Sequence, residues 1–175
     1  MTTRSMSPEA QSRPVNAGDL ATISGLHARV FGPGRFVRTA YRVRDGLPLV
    51  SPFCRVIVLG GEIIAALRFA PVTVGGVGRA LMLGPAAVTP EHANLGYARR
   101  LIAEGHAAAR DAGIRLVLLV GDEPYYGRLG FVRVPKGQMS MPGPVNPDRL
   151  LALELEAGAL ASYRGLIVGD AAATP

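Results

Sequence analysis

Gly84-Pro85 stands inside Arg79 to Val88, a run whose other residues read as a β-strand. Proline has no N–H to give to a ladder, so pairing must fail there as a bulge or a splay, and a cleft opens beside the strand. The backbone groups of Ala86, Ala87 and Val88 are then free to hold an extended ligand in the way an added strand is held by a sheet edge. Downstream, Pro90-Glu91-His92-Ala93-Asn94-Leu95-Gly96-Tyr97-Ala98-Arg99 runs directly into a helix. Successive N–H groups at the positive end of a helix dipole make an anion site; Gly96 and Ala98 permit close approach of a phosphate, and Arg99 adds a full charge. A third segment, Asp122-Glu123-Pro124-Tyr125-Tyr126-Gly127-Arg128-Leu129-Gly130-Phe131, carries two adjacent tyrosines. A tyrosine hydroxyl with a pKa of about 10 can protonate a departing thiolate, whose thiol has a pKa of about 8.5. Tyr125 and Tyr126 cannot both point into one cleft, so one is the acid candidate and the other an aromatic packed over the sheet.

The elements that must position these segments follow from periodicity and breakers. Leu20, Ile23, Leu26 or His27, and Val30 recur at helical spacing up to about Phe31, where Gly32-Pro33-Gly34 ends the pattern. Arg35 to Asp45 predicts a second, arginine-rich helix with Phe36, Ala40 and Val43 on one side. Cys54 to Leu59, Glu62 to Phe69 and Arg79 to Val88 are β-rich and separated by Gly60-Gly61 and Gly75-Gly76, which predicts an antiparallel meander after a short strand at Arg13 to Val15. Ala98, Leu101, Ile102, Gly105, Ala109 and Ala112 share one face of a helix whose other flank is charged, with His106 on the solvated side. Ile114 to Val120 is apolar apart from Arg115 and predicts a strand buried on both faces, parallel to its neighbour. The strand, helix, strand unit from Arg79 to Val120 puts its first loop at the carboxyl end of a strand, where open α/β sheets bind ligands. A short helix at Glu123 to Leu129, a strand from Phe131, a loop from Pro135 to Pro147 and a last strand at Leu150 to Leu155 complete the reading.

The 175 residues are 49% hydrophobic and 18% charged, enough for one core and too few for two at about 150 residues per domain. The expectation is a lead over residues 1–11, a domain over 12–168 and a loose end over 169–175. No apolar run approaches the ~18 residues of a bilayer helix, so no membrane crossing is expected. Met1 to Ser12 lacks an apolar signal core and Cys54 stands alone, so a reducing cytoplasmic setting is expected. Lys+Arg 19 against Asp+Glu 13 gives 19 − 13 = +6, which favours anionic ligands. No basic run interleaved with aromatics points to nucleic acid. His27, His92 and His106 are scattered and Cys54 has no partner, so no metal is expected. The phosphate loop of nucleotide hydrolases and the Gly-x-Ser-x-Gly elbow are absent.

Leu83 to Pro90, the glycine-containing loop, the amphipathic helix and Val120-Gly121 followed by Asp122 to Phe131 together resemble the GNAT N-acetyltransferase superfamily, in particular its YhbS-like branch; Ala152 to Leu160 is also similar. The resemblance spans nearly the whole chain. It implies one α/β (α+β) domain, with a mixed central sheet of six to seven strands splayed between the fourth and fifth and helices on both faces. It also implies acetyl-CoA as co-substrate, a small-molecule or peptidyl amine as acceptor, and a monomer or homodimer. Carried over, Ala86, Ala87 and Val88 pair with pantetheine. Ala93, Asn94, Leu95, Gly96, Tyr97 and Ala98, with Arg99, bind the pyrophosphate. Tyr126, five residues before Phe131, protonates the CoA thiolate. Ala93 departs from the family's Arg or Gln and Asn94 from a common glycine, which implies weaker CoA binding, and a catalytically silent CoA-binding module is the alternative. Glu62, Glu91, Asp122 and Glu123 read as structural, and no base is assigned. The acceptor is expected against Phe31 to Arg44 and Pro135 to Pro147, with Arg35, Arg38, Arg42 and Arg44 either attracting an acidic acceptor or forming a solvated helix face.

Overall fold

The structure is a computed structural model that describes residues 9–173, without the side chains of residues 36 and 37. Residues 1–8 of the expected lead and the last two residues therefore lie outside it, as does the expected burial of Phe36. The chain enters the sheet as β1 (Gln11–Pro14), passes through helix α1 (Leu20–Phe31) and the short helix α2 (Thr39–Arg44), and returns as β2 (Arg55–Leu59). Glycine pairs with positive φ at 60–61 and 75–76 then make the two turns of the meander from β2 to β3 (Glu62–Val74) and β4 (Val77–Val88). Helix α3 (Tyr97–Asp111) crosses to β5 (Leu116–Val120), parallel to β4, and is followed by α4 (Glu123–Tyr126), β6 (Val132–Arg133), β7 (Met139–Ser140), β8 (Leu150–Glu154) and β9 (Gly165–Gly169). The sheet order is β1-β2-β3-β4-β5-β8-β6, with β9 joined to the far end of β3 and to β7.

Alternation along the strands decides which helix each side chain meets. Leu81, Leu83, Val117 and Leu119 pack with Leu101, Ile102 and Ala109 of α3 on one face. Met82, Leu116 and Leu118 pack with Val43 of α2 on the other, while Ala66 and Ala87 meet Leu26 of α1. Helices therefore cover both faces of the sheet. Among the described residues no helix is long and apolar enough to cross a membrane.

Three elements differ from the sequence reading, the first being β7, a strand inside the expected Pro135 to Pro147 loop. The helix expected over Arg35 to Asp45 is divided, a 3-10 turn at Pro33–Val37 and then α2, because Arg38 takes an extended backbone (φ −70°, ψ 136°). β9 was not expected past Leu155; it forms because Ile167 buries into the same core as Tyr163 and Val74.

His106 is a further correction. It is 8% exposed, with its ring 5.8 Å from Phe69 and 5.7 Å from Phe131 and Nε2 without a hydrogen-bond partner. The neighbouring Gly105 explains the burial, since a Cβ there would stand 2.4 Å from Phe69, so the helix lies closer to the sheet than its apolar stripe suggests. Burial, aided by Arg110, pulls the His106 pKa down from 6.5 to about 4. The folded protein thus rejects a proton that the unfolded chain accepts, and the stability present above pH 6.5 is lost as pH falls toward 4. Two pH units across that window amount to ~2 kcal/mol for this one group. Replacing His106 with leucine is expected to remove that much of the acid sensitivity, measured as the difference in urea unfolding free energy between pH 6.5 and 4.5; an unchanged difference would show that His106 is not responsible.

Candidate active site

β4 and β5 pair from Ala80 to Met82 against Leu116 to Leu118, with Arg115 N–H also donating to Arg79 O at 2.8 Å. Beyond that point β4 follows β3 as far as Val88↔Ala65, while β5 follows β8 as far as Val120↔Leu150, and the two strands part. The cause is local. Leu67 faces Ala86 and Phe69 faces Leu83, so Gly84 and Pro85 together oppose Arg68 in a bulge. Gly84 has φ +117°, open only to glycine, and the Gly84-Pro85 bond is cis. The expected splay between the fourth and fifth strands is present.

The ladder also decides which backbone groups face the gap. Thr89 N–H donates to Ile64 O at 2.8 Å, and hydrogen-bonded pairs alternate along an antiparallel ladder. The amide groups of Ala87 therefore turn toward Ala66, and those of Ala86 and Val88 turn away from β3 to the open side. Ala87 is buried against α1, and Ala86 and Val88 pack on the α3 face.

A cleft of about 550 Å³ occupies the splay. Its walls include Leu83 to Ala86 from β4, Leu119 to Gly121 from the end of β5, and Tyr126 from α4. Of the two tyrosines, Tyr126 lines the cleft and is half-buried, whereas Tyr125 is 47% exposed and meets the Tyr126 ring edge-on at 4.9 Å. Phe131 packs on Tyr126 from beneath at 5.8 Å. Burial, then the charges of Tyr125 and Asp122, push the Tyr126 pKa above 10, so the phenol keeps its proton through the neutral range. Gly121, which sequence reasoning did not single out, makes room for this ring: a Cβ there would lie 2.5 Å from Tyr126 Cε2. A glycine at the carboxyl end of a buried strand, directly before the tyrosine segment, was the available signal.

The residues Ala93 to Arg99 do not line this cleft; they surround the N-terminus of α3. Gly96 is the residue before the helix, with φ +86° and nothing within 4 Å of a Cβ position, and Asn94 also has positive φ, 60°. Asparagine is among the few residues other than glycine that accept this conformation, so the departure at Asn94 leaves the loop's course possible. Ala93 N–H is engaged by Pro90 O at 3.3 Å, and Leu95 is 64% exposed. Arg99 is exposed at the first turn and forms no ion pair with any described residue.

The opposite wall of the cleft brings together the two segments expected to meet the acceptor: Phe31, Arg38 and Arg44 on one side, Pro144, Val145 and Asn146 on the other. Thr39 Oγ1 donates to Pro144 O and ties them. Arg149, not anticipated, lines the cleft as well and lies 3.2 Å from Asp122, whose side chain does not cap α4 as expected. The solvated-face reading of the arginines fails for Arg44, which is 8% exposed. Glu62 and Glu91 are exposed and outside the cleft, and among the described residues no group of three His, Cys, Asp or Glu is arranged to hold a metal ion.

A family model for the GNAT acetyltransferase domain matches residues 11–134. Among solved structures, the GNAT N-acetyltransferase YhbS from Escherichia coli, in complex with CoA, is 24% identical, with 97% of this chain and 94% of that chain covered and a TM-score of 0.80. A GNAT acetyltransferase from Brucella melitensis in complex with acetyl-CoA is 26% identical over 82% of this chain and 95% of that one, with a TM-score of 0.61. The ribosomal-protein-S18-alanine N-acetyltransferase of Escherichia coli shares the fold at 16% identity, 84% and 94% coverage and a TM-score of 0.59. No curated protein matches. With the family matched over more than half its length and the splayed sheet in place, the chain belongs to the GNAT acetyltransferase family and is an acyltransferase.

Proposed function

We propose that the protein is an acetyl-CoA-dependent N-acetyltransferase that passes the acetyl group directly to a primary amine, with Tyr126 as general acid. The observation that carries this reading is the cleft itself, where a splayed strand offering free backbone groups at Ala86 faces a protonated tyrosine. The residues fit a CoA thioester. The open edge of Ala86 and Val88 suits an extended amide-bearing arm, and the loop Ala93 to Arg99, with its α3 dipole and unpaired Arg99, suits a pyrophosphate. Bound there, acetyl-CoA supplies an acyl group activated as a thioester. An N–H of the splayed strand stabilises negative charge on the carbonyl oxygen and the cleft holds amine and carbonyl at attack distance; the attacking nitrogen releases its extra proton to water, and the Tyr126 hydroxyl gives its proton to the departing sulfur and is restored from that water. Ala93 offers no polar side chain to the phosphates, so their binding rests on main-chain groups and Arg99. Thiol release from acetyl-CoA across a panel of primary amines tests the reading. Amine-dependent release with acetylated product supports it, and tight CoA binding with no turnover on any amine would favour a silent CoA-binding module.

A further inference from the structure

Arg44 ends α2 beside the splay, 8% exposed, with its guanidinium 5.8 Å over the Tyr41 ring. Its Nε donates to Ala40 O at 2.8 Å, but Nη1 has no hydrogen-bond partner and stands 3.3 Å from the position a Cβ on Gly84 would take. A buried cation lacking a counter-charge is unfavourable, and folded proteins rarely leave one so. The neighbourhood makes it worse. Arg68, projecting from the bulge opposite Gly84 and Pro85, donates from Nη2 to Arg44 O at 3.2 Å and to Leu47 O at 3.0 Å, and its own Nε is unpartnered. Of the four buried side-chain polar atoms without a partner among the described residues, Arg44 Nη1, Arg68 Nε and His27 Nε2 all belong to residues lining this cleft or the cavity on the α1 side of Pro85. Burial first, then the charge of Arg68, draws the Arg44 pKa down to about 10, so the group is still a cation at neutral pH.

The cleft as a whole has the same sign. Arg38, Arg44 and Arg149 line it, and its one carboxylate, Asp122, is on the rim next to Arg149. An alkylammonium ion entering alone meets net positive charge, and among the described residues no carboxylate in the cleft is free to take its proton.

We propose that the acceptor is an amine that also carries an anionic group, a carboxylate or a phosphate, and that this group is bound by the Arg44 guanidinium beside Gly84, with Arg38 at the entrance. The inference rests on the N-acetyltransferase reading and narrows its substrate class. The anion offsets the positive lining on entry. The same lining disfavours a second positive charge, so the amine end is held in the neutral, nucleophilic form without a dedicated base.

Two measurements test it. The first needs no turnover: calorimetric titration with sodium phosphate and with sodium glutarate at fixed ionic strength, with and without saturating CoA, for wild type, Arg44→Gln and Arg44→Lys, each checked for folding by circular dichroism. Saturable binding of one anion to wild type, weakened about tenfold or more in Arg44→Gln and partly kept in Arg44→Lys, is expected. Equal binding in wild type and Arg44→Gln overturns the site. The second compares matched amines, phosphoethanolamine with ethanolamine and β-alanine with propylamine, by thiol release. The anionic member of at least one pair is expected to have the higher kcat/KM by about tenfold or more, a preference that Arg44→Gln removes mainly through KM. A preference for the uncharged member in both pairs, or one that Arg44→Gln leaves intact, overturns the substrate class. Arg44-dependent anion binding with no transfer to any amine overturns the acetyltransferase reading and leaves the anion site standing.

Discussion

Tyr126→Phe is expected to lower kcat for acetyl transfer about 100-fold, at the lower end of what a positioned general acid contributes. The lower end is appropriate because a thiolate, with a conjugate acid near pKa 8.5, is already a tolerable leaving group that needs less help than an alkoxide. Phenylalanine keeps the ring that packs on Phe131 and Tyr125, so the KM for acetyl-CoA should change by no more than about twofold, the pattern of an interaction made only in the transition state. The pH profile supplies an independent check. Since the Tyr126 pKa is raised above 10, its ionisation lies outside the range of a normal assay, and between pH 6 and 9 the wild-type rate should rise as the amine loses its proton. Tyr126→Phe should lower this curve uniformly without moving it. Steady-state kinetics from pH 6 to 9 decides the matter: a variant with wild-type kcat would remove Tyr126 from the chemistry.

The features that position the cleft were legible because each depends on a residue type with one dominant physical property. Gly84-Pro85 cannot complete a ladder, whatever surrounds it, and the splay follows. Gly60-Gly61 and Gly75-Gly76 turn the meander, and the apolar run at Leu116 to Leu119 demands burial on both faces. What escaped depends on distances between parts of the chain far apart in sequence. Leu166-Ile167-Val168 has the composition of a strand, but three residues between Gly165 and Gly169 are too short to declare one locally; its partner residues, Val72 to Val74, lie almost a hundred positions earlier. The arginines at 35, 38, 42 and 44 look equivalent in sequence, and only the helix break at Arg38 and the bulge opposite Arg68 set Arg44 apart from the exposed Arg42. His106 has charged neighbours in sequence and aromatic ones in space. The choice between Tyr125 and Tyr126 was open from residue types alone, and the backbone resolves their exposure by directing one ring over Phe131 and the other to solvent.

Gly121→Ala is expected to reproduce much of the Tyr126→Phe defect without touching the phenol. The added methyl would meet Tyr126 Cε2 at 2.5 Å, Tyr126 Cδ2 at 2.8 Å and Leu119 Cδ1 at 2.9 Å. Leu119 is 1% exposed and fixed in the core, so it cannot yield, and the ring of Tyr126, bordered on one side by the cleft, is the part that moves. A displacement of the hydroxyl by about 1 Å is enough to cost up to 100-fold in rate when a proton must be delivered to one atom. The backbone N–H of Gly121 donates to Arg149 O at 2.9 Å, and its φ lies outside the region reserved for glycine, so alanine keeps that bond and introduces no backbone strain. On the proposed reading CoA is held by β4 and the α3 loop, which the substitution does not touch, so its affinity should stay unchanged. The decisive comparison is the double variant. If Gly121 acts through the tyrosine, Gly121→Ala with Tyr126→Phe should be little slower than Tyr126→Phe alone. Multiplying defects would mean that Gly121 supports the fold of the strand end and does not aim the acid.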